Sequence, residues 1–326
     1  MAITISGSGI TSANIADGTI TTDDILASDV VSLKSGRKNL IINGGMDVSQ
    51  RGDYSTATTL TNGTYYLDRF KTVLGGTATY THKSNQLVDG KYVNTLLMTL
   101  TSTGYAATQQ FVEDFAKLKG RAVTLSMWVK SNKAGANIGI YDGISQTNSS
   151  GHTGGGSWEK LTVSHTCSTS TNQMRTEVWT GTGSSIGSYI EFTGVQLEVG
   201  SVATDFEHRS YGEELALCQR YYYHHASGAS SFIGIGTFVS ATQMRTLVYF
   251  PVTMRTDPTL TQVTGTNYFQ IEYGAQDAFD LFTGLITNNI NGAALYTSGM
   301  TSTTAGYSGV VRGLDASSLL AFDAEL

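Results

Sequence analysis

From residue 39 onward, short runs of alternating apolar and polar positions are separated by turn residues. Period-two alternation sends successive side chains to opposite faces of a strand. Thr124–Lys130 shows it most cleanly: Leu125, Met127 and Val129 share one face, and Ser126, Trp128 and Lys130 the other. The same pattern predicts strands at Trp158–His165, Met174–Trp179 and Glu191–Leu197, and Asn39–Met46 reads as an apolar strand closed by Gly44-Gly45. A second series follows at Phe232–Val239, Thr246–Met254, Tyr268–Tyr273, Ala278–Phe282, Gly309–Arg312 and Leu319–Leu326. Two segments read as helices. One is Val112–Leu118, stopped by Gly120; the other is Glu213–Tyr222, capped by Gly212, with Leu215, Cys218 and Tyr222 on one apolar face. Many short strands with turn residues between them predict an all-β chain built around a jelly-roll sandwich.

Residues 1–38 follow a different rule. Ile5, Ile10, Ile15, Ile20, Ile25 and Val30 recur every fifth residue among small and acidic ones, a spacing that fits neither helix nor strand. One apolar residue in five buries little, so such a stalk needs to wind on itself or on like chains. The expected organisation is a stalk or attachment segment (1–38), a jelly roll (39–209), a connecting helix (210–225) and a β-sandwich-like tip (226–326).

Composition supports the strands and removes several functions. Charged residues make up 14% of the 326, against roughly 25% in an average soluble protein, and glycine fills 37 positions while proline fills two. The net charge is −6 with no basic cluster, which argues against a phosphate-tracking nucleic-acid binder. No apolar run approaches the ~18–20 residues of a membrane span. The opening MAITISGSGI lacks the basic and apolar regions of a secretion signal, so export by that route is not expected. Cys167 and Cys218 have no metal-ligand spacing and read as buried thiols.

Catalysis has little to stand on. The adjacent carboxylates Glu113-Asp114 and Glu213-Glu214 both fall in first turns of predicted helices, where the helix dipole accounts for them. Sugar binding has more: rings stack on sugar faces while charged and amide groups bond the hydroxyls. By strand parity Trp128 sides with Lys130, Trp158 with Lys160, and Trp179 with Arg175 and Glu177, so Trp128, Lys130, Trp158, Arg175, Glu177 and Trp179 are the glycan-binding candidates. Asp47, Glu191 and Glu198 are weaker candidates for a structural calcium ion, and no other cofactor is expected.

Gln196-Leu197-Glu198-Val199-Gly200, the stretch Phe206-Glu207-His208-Arg209 and the following Glu213-Glu214-Leu215-Ala216-Leu217-Cys218-Gln219-Arg220-Tyr221-Tyr222 resemble bacteriophage tail-fibre and related virion appendage proteins. Asn39–Met46, Gln50-Arg51-Gly52, Asp68-Arg69-Phe70 and the closing Ala321-Phe322-Asp323-Ala324-Glu325-Leu326 are similar to that family as well, as is the stalk around Thr11–Thr21. The resemblance implies a carbohydrate-binding-module-like jelly roll in a non-enzymatic, homotrimeric virion protein, assembled in the host cytoplasm and displayed outside the cell. Its partners would be its own copies, other virion proteins met through the N-terminal segment, and a host-surface glycan. The apolar surfaces available for trimer packing are Ile10, Ile15, Ile20, Ile25 and Val30 in the stalk, and Leu215, Cys218 and Tyr222 on the helix. The alternatives are a purely structural capsid fibre, decoration or adaptor protein, and a polysaccharide depolymerase.

Overall fold

The structure is a computed structural model that describes residues 37–300 and 304–325. The stalk candidates Ile10, Ile15, Ile20, Ile25 and Val30 lie outside the described residues. The fold is all-β. The first half is a sandwich of two antiparallel sheets. The six-stranded sheet runs Thr58–Thr59, Ala78–Val88, Lys91–Leu100, Tyr189–Val199, Ala122–Ser131, Trp158–Thr166 in spatial order. The five-stranded sheet runs Lys71–Leu74, Ala106–Phe111, Arg175–Trp179, Asn137–Tyr141, Gln146–Asn148. Leu125, Met127, Val129, Ile190 and Phe192 from the first sheet meet Ile138, Ile140 and Val178 from the second in one buried core. That core is what the alternation at Thr124–Lys130 is for: every second residue leaves water.

The second half has its own core, with Phe238, Ile271, Phe282, Leu295 and Phe322 at its centre. A three-stranded sheet, Tyr222–Ser227, Leu319–Asp323, Thr259–Val263, accompanies a seven-stranded one. The latter runs Gln276–Phe279, Phe269–Glu272, Ser308–Gly313, Phe232–Phe238, Gln243–Tyr249, Gly292–Ser298, Gly284–Asn289. No helix among the described residues is long and apolar enough to cross a membrane.

Three local expectations need correcting. Asn39–Met46 forms no strand, because side chains take most of its main-chain groups. Ile41 N–H donates to Asn39 Oδ1 (3.0 Å), Ile42 N–H to Gln110 Oε1 (2.8 Å) and Asn43 N–H to Glu214 Oε1 (2.6 Å). The turn presses so closely on the sheet that a Cβ on Gly44 would lie 2.2 Å from the Val195 carbonyl oxygen. Val112–Leu118 yields only a 3-10 turn, Phe115–Leu118, and Glu113 stands ahead of it. The α-helix spans Tyr211–Gln219 and starts on Ser210, whose hydroxyl and main chain exchange bonds with Glu213 in a capping box; Gly212 lies inside the first turn. Tyr222 already belongs to a strand. Tyr222 and Cys218 are buried within their own chain and offer no surface to a neighbouring copy, while Leu215 is half-buried. Cys167 is likewise buried and free.

The helix ends at a junction that ties the two halves together. Arg51 pairs with Asp323 (3.1 Å) and Glu325 (3.1 Å), and Arg69 pairs with the other oxygen of Glu325. Each guanidinium also lies on a ring, Arg51 over Tyr222 at 3.8 Å and Arg69 over Tyr221 at 3.5 Å. Asp68 accepts from Gln50 N–H and from Gln50 Nε2 (both 2.6 Å), and the same Nε2 donates to the Tyr222 carbonyl (2.8 Å). On the helix side Arg220 Nη2 and the Tyr221 hydroxyl both bond Glu113 at 2.7 Å. Taking one partner from a buried pair leaves a charge with neither water nor counter-ion. Glu325→Ala is therefore expected to cost ~3–5 kcal/mol in urea unfolding, against a fraction of a kcal/mol for an exposed pair such as Lys117–Asp114. A loss under ~1 kcal/mol would show that the junction holds without its ions.

Two guanidiniums here face three carboxylates, and the surplus falls on Asp68. Burial pushes its carboxyl up to about 6, against the pull of the Gln50 N–H, Arg51 and the Gln50 side chain. A folded pKa above the unfolded value near ~3.9 means that folding favours the protonated form. The corresponding stability is fully present below the unfolded pKa and is lost as pH rises through about 6. From pH 4 to pH 7 the wild-type chain should lose ~1–3 kcal/mol relative to Asp68→Asn. Parallel stability curves for the two proteins would contradict this.

Candidate glycan-binding groove

A groove of about 600 Å³ opens on the outer face of the six-stranded sheet. Its floor follows from strand register. Trp128 stands between Thr193 on one neighbour and Lys160 on the other, so an indole, a hydroxyl and an ammonium lie in one row across three strands. Ser126 and Asn94 extend the floor.

One side is the hairpin joining Ala78–Val88 to Lys91–Leu100. Its two-residue turn is Asp89-Gly90, with φ of 48° and 74°, the left-handed pair that a tight hairpin favours. The turn brings Asp89, Lys91 and Tyr92 to the groove; Tyr92 is 75% exposed, with its ring free to meet a ligand. The segment 205–208 forms another side. Glu207 N–H donates to Gln196 Oε1 (2.8 Å), while Gln196 Nε2 (3.1 Å) and Lys38 Nζ (2.5 Å) both donate to the Asp205 carbonyl. Phe206 and His208 line the groove edge-to-face, 5.0 Å between centroids. Asp47 completes the rim and accepts from Asn94 Nδ2 at 3.0 Å. Burial raises the Asp47 carboxyl above its ordinary value, opposed by the Asn94 bond, His208 and His82.

Gly194 makes the floor possible. The register between Tyr189–Val199 and Ala122–Ser131 shifts between Thr193 and Gln196, and Gly194 absorbs this bulge at φ +65°. An added Cβ would sit 3.8 Å from Trp128 Cδ1 and 3.9 Å from Phe206 Cδ2, so the bare Cα lies between the two rings.

The six expected glycan residues do not converge. Trp128 lies in the groove. Lys130 and Trp158 are register partners beside it on the same face, the Lys130 ammonium 5.8 Å from the Trp158 ring and 4.0 Å from Glu191. Arg175, Glu177 and Trp179 belong to the other sheet, so the core separates them from Trp128. Arg175 lies 4.2 Å over Tyr141 and 3.6 Å from the Glu177 carboxylate, Gln109 donates to Glu177 (3.2 Å), and Trp179 Nε1 donates to Asn137. The calcium candidates are also scattered. Glu191 is held by Lys83 (3.0 Å) and Thr95 (2.7 Å), Glu198 by the Thr204 N–H (2.8 Å) and hydroxyl (2.7 Å), and Asp47 stands alone at the groove. Among the described residues no group of three His, Cys, Asp or Glu could hold a metal ion.

Tyr92, Phe206, His208, Asn94 and the groove position of Asp47 were missed from sequence. The Asp89-Gly90 dipeptide signals a hairpin that would carry Tyr92, but nothing local tells where segment 205–208 lands. Chemically the groove offers ring faces, hydroxyl and amide groups, and a few charges, a lining that suits a polyhydroxylated ligand.

No protein-family model and no curated protein matches the chain. Among solved structures, about half of it is similar to the enzymatically active domain of tailspike protein 4 of bacteriophage CBA120, at 16% identity and TM-score 0.35, spanning 21% of that chain. A comparable half is similar to TmCBM61, solved with β-1,4-galactotriose, at 14% identity and TM-score 0.32 over all of that module. A cyclase from Fischerella sp. TAU is similar at 10% identity and TM-score 0.37, again over its full length.

Gly194→Ala should cost ~1–3 kcal/mol of stability, since alanine resists this φ and its methyl enters the space between the two rings. An unchanged Tm would mean that the bulge can move to a neighbouring residue.

Proposed function

We propose that the chain is a non-catalytic, glycan-binding subunit of a bacteriophage tail fibre, displayed on the virion and working as a homotrimer. The observation that carries the glycan reading is the groove, with Trp128 in its floor and Tyr92 and Phe206 at its sides, beside Lys160, Asn94 and Asp47. Ring faces at three places can hold a sugar chain by stacking, while the polar groups select among hydroxyl patterns. The fibre setting is supported by the sequence motifs alone. A single open groove of this kind needs only weak affinity: a Kd near ~1 mM, worth ~4 kcal/mol, becomes useful when several copies bind one surface.

A second reading, a structural fibre or adaptor without receptor contact, is favoured by one observation. Many of the residues that carry the family resemblance, Arg51, Arg69, Asp68, Arg220 and Tyr222 among them, meet at the junction between the halves, while Phe206 and His208 alone of the segment 206–209 reach the groove.

Glycan-array and cell-surface binding by the full chain separate the two. Trp128→Ala and Tyr92→Ala should each weaken glycan binding by about tenfold or more, ~1.4 kcal/mol, while Trp179→Ala leaves it unchanged. Equal binding by all three variants would move the site away from the groove. Absence of any glycan bound by the wild-type chain would favour the structural reading.

A further inference from the structure

Two-thirds of the large apolar side chains left exposed among the described residues fall within Phe232–Leu314, less than a third of the described chain. Five of them, Phe232, Ile235, Leu247, Tyr249 and Val310, share one sheet face. Register places Val310, Ile235, Leu247 and Ala294 in one row across four hydrogen-bonded strands of the seven-stranded sheet. Their neighbours along the strands, Gly236, Val248, Leu295 and Val311, point inward and are buried, so the row itself lies on the outer face. Ile235 is 57% exposed and Leu247 59%; Phe232 at 61% and Tyr249 at 78% widen the same face. Charge is sparse. Arg312 is held by Glu272 and Arg245 bonds Gln243, while Thr237 and Ser308 bond each other (2.8 Å).

We infer that this outer face is the surface through which copies of the chain associate, its occupant being the same face, or the adjoining rim, of another copy. The inference rests on the self-association proposed above and gives it a location on the sheet, since Cys218 and Tyr222 of the helix region are buried within their own chain. Five exposed side chains, Phe232, Ile235, Leu247, Tyr249 and Val310, leave roughly 500 Å² of apolar surface in water, near the upper end of what monomers display. With the flanking Thr237, Arg245 and Tyr296 the face approaches the ~800 Å² that each partner contributes to a standard interface. Its composition, aromatic and aliphatic with few charges, is that of permanent contacts between like chains; transient contacts with other proteins are more polar. A depression of about 210 Å³ beside Leu247, Tyr249 and Asn291 adds relief into which a neighbour's side chain can seat.

Sedimentation equilibrium on the full chain tests this. The wild-type chain should associate at micromolar concentration. Leu247→Lys combined with Ile235→Lys should weaken association at least tenfold, with the wild-type circular dichroism spectrum kept because both side chains already face water. Tyr249→Asp provides an independent second variant, expected to act in the same direction. A wild-type monomer would overturn both the inference and the trimer reading. An associating wild type whose variants associate equally well would overturn the sheet-face inference alone and leave self-association standing.

Discussion

Two buried guanidiniums hold the start of the jelly roll to the closing strand of the second half. Arg51 and Arg69 come from the first stretch of the jelly roll, whereas Asp323 and Glu325 come from the last described residues. Loop closure over more than 250 residues is entropically costly, though the cost grows only slowly with length, so a few strong contacts can offset it. Ionic bonds serve here because each guanidinium has its plane covered by a tyrosine and its edge met by carboxylate oxygen. Removing both members of such a pair is expected to be milder than removing one, because neither charge is then left buried alone. The residues distal to Tyr222 are tied to the jelly roll by this cluster, by His224 Nδ1 on the Gln50 carbonyl (2.6 Å), and by Glu113 with Arg220 and Tyr221.

That cluster accounts for much of the sequence resemblance, although Phe206 and His208 of the same motifs line the groove. Gln50-Arg51, Asp68-Arg69, Arg220-Tyr221-Tyr222 and Asp323–Glu325 are far apart in sequence and satisfy one another in space. Arg209 belongs to the same logic, donating to the Ile41 carbonyl (2.9 Å) and pairing with Glu214 (3.2 Å), whose carboxylate also receives the Asn43 N–H. These side chains report how two β lobes and a nine-residue helix are joined. The groove is lined by other residues.

Much of the fold was legible because it is local. The alternation at Thr124–Lys130 places Leu125, Met127 and Val129 in the core, as strand parity requires. Parity ends at the single strand, however. It puts Trp128 and Trp179 each on the polar side of its own strand, yet cannot say that the two strands lie in opposite sheets. Asn39–Met46 looked like a strand because its apolar residues are real core residues, Ile41 and Met46 among them. What decided otherwise was a set of polar partners, Gln110 and Glu214, that lie 68 and 171 residues away. The helix boundary moved for a local reason: Ser210 with Glu213 completes a reciprocal cap that Gly212, lacking a side chain, could not form.

On the proposed reading, the division of labour between the halves follows from where each leaves its rings. The jelly roll keeps Tyr92 and Trp128 beside amides, hydroxyls and charges in a concave setting, which suits a hydrated ligand bound and released repeatedly. The second half spreads Phe232, Ile235, Leu247 and Tyr249 over a sheet face with few charges, which suits a dry contact made once. A weak groove is useful only when several are held together, so the apolar sheet face would supply what the groove lacks. The junction at Arg51 and Arg69 matters to both, because multivalent contact gains most when the linked sites are held in a geometry that lets them engage together.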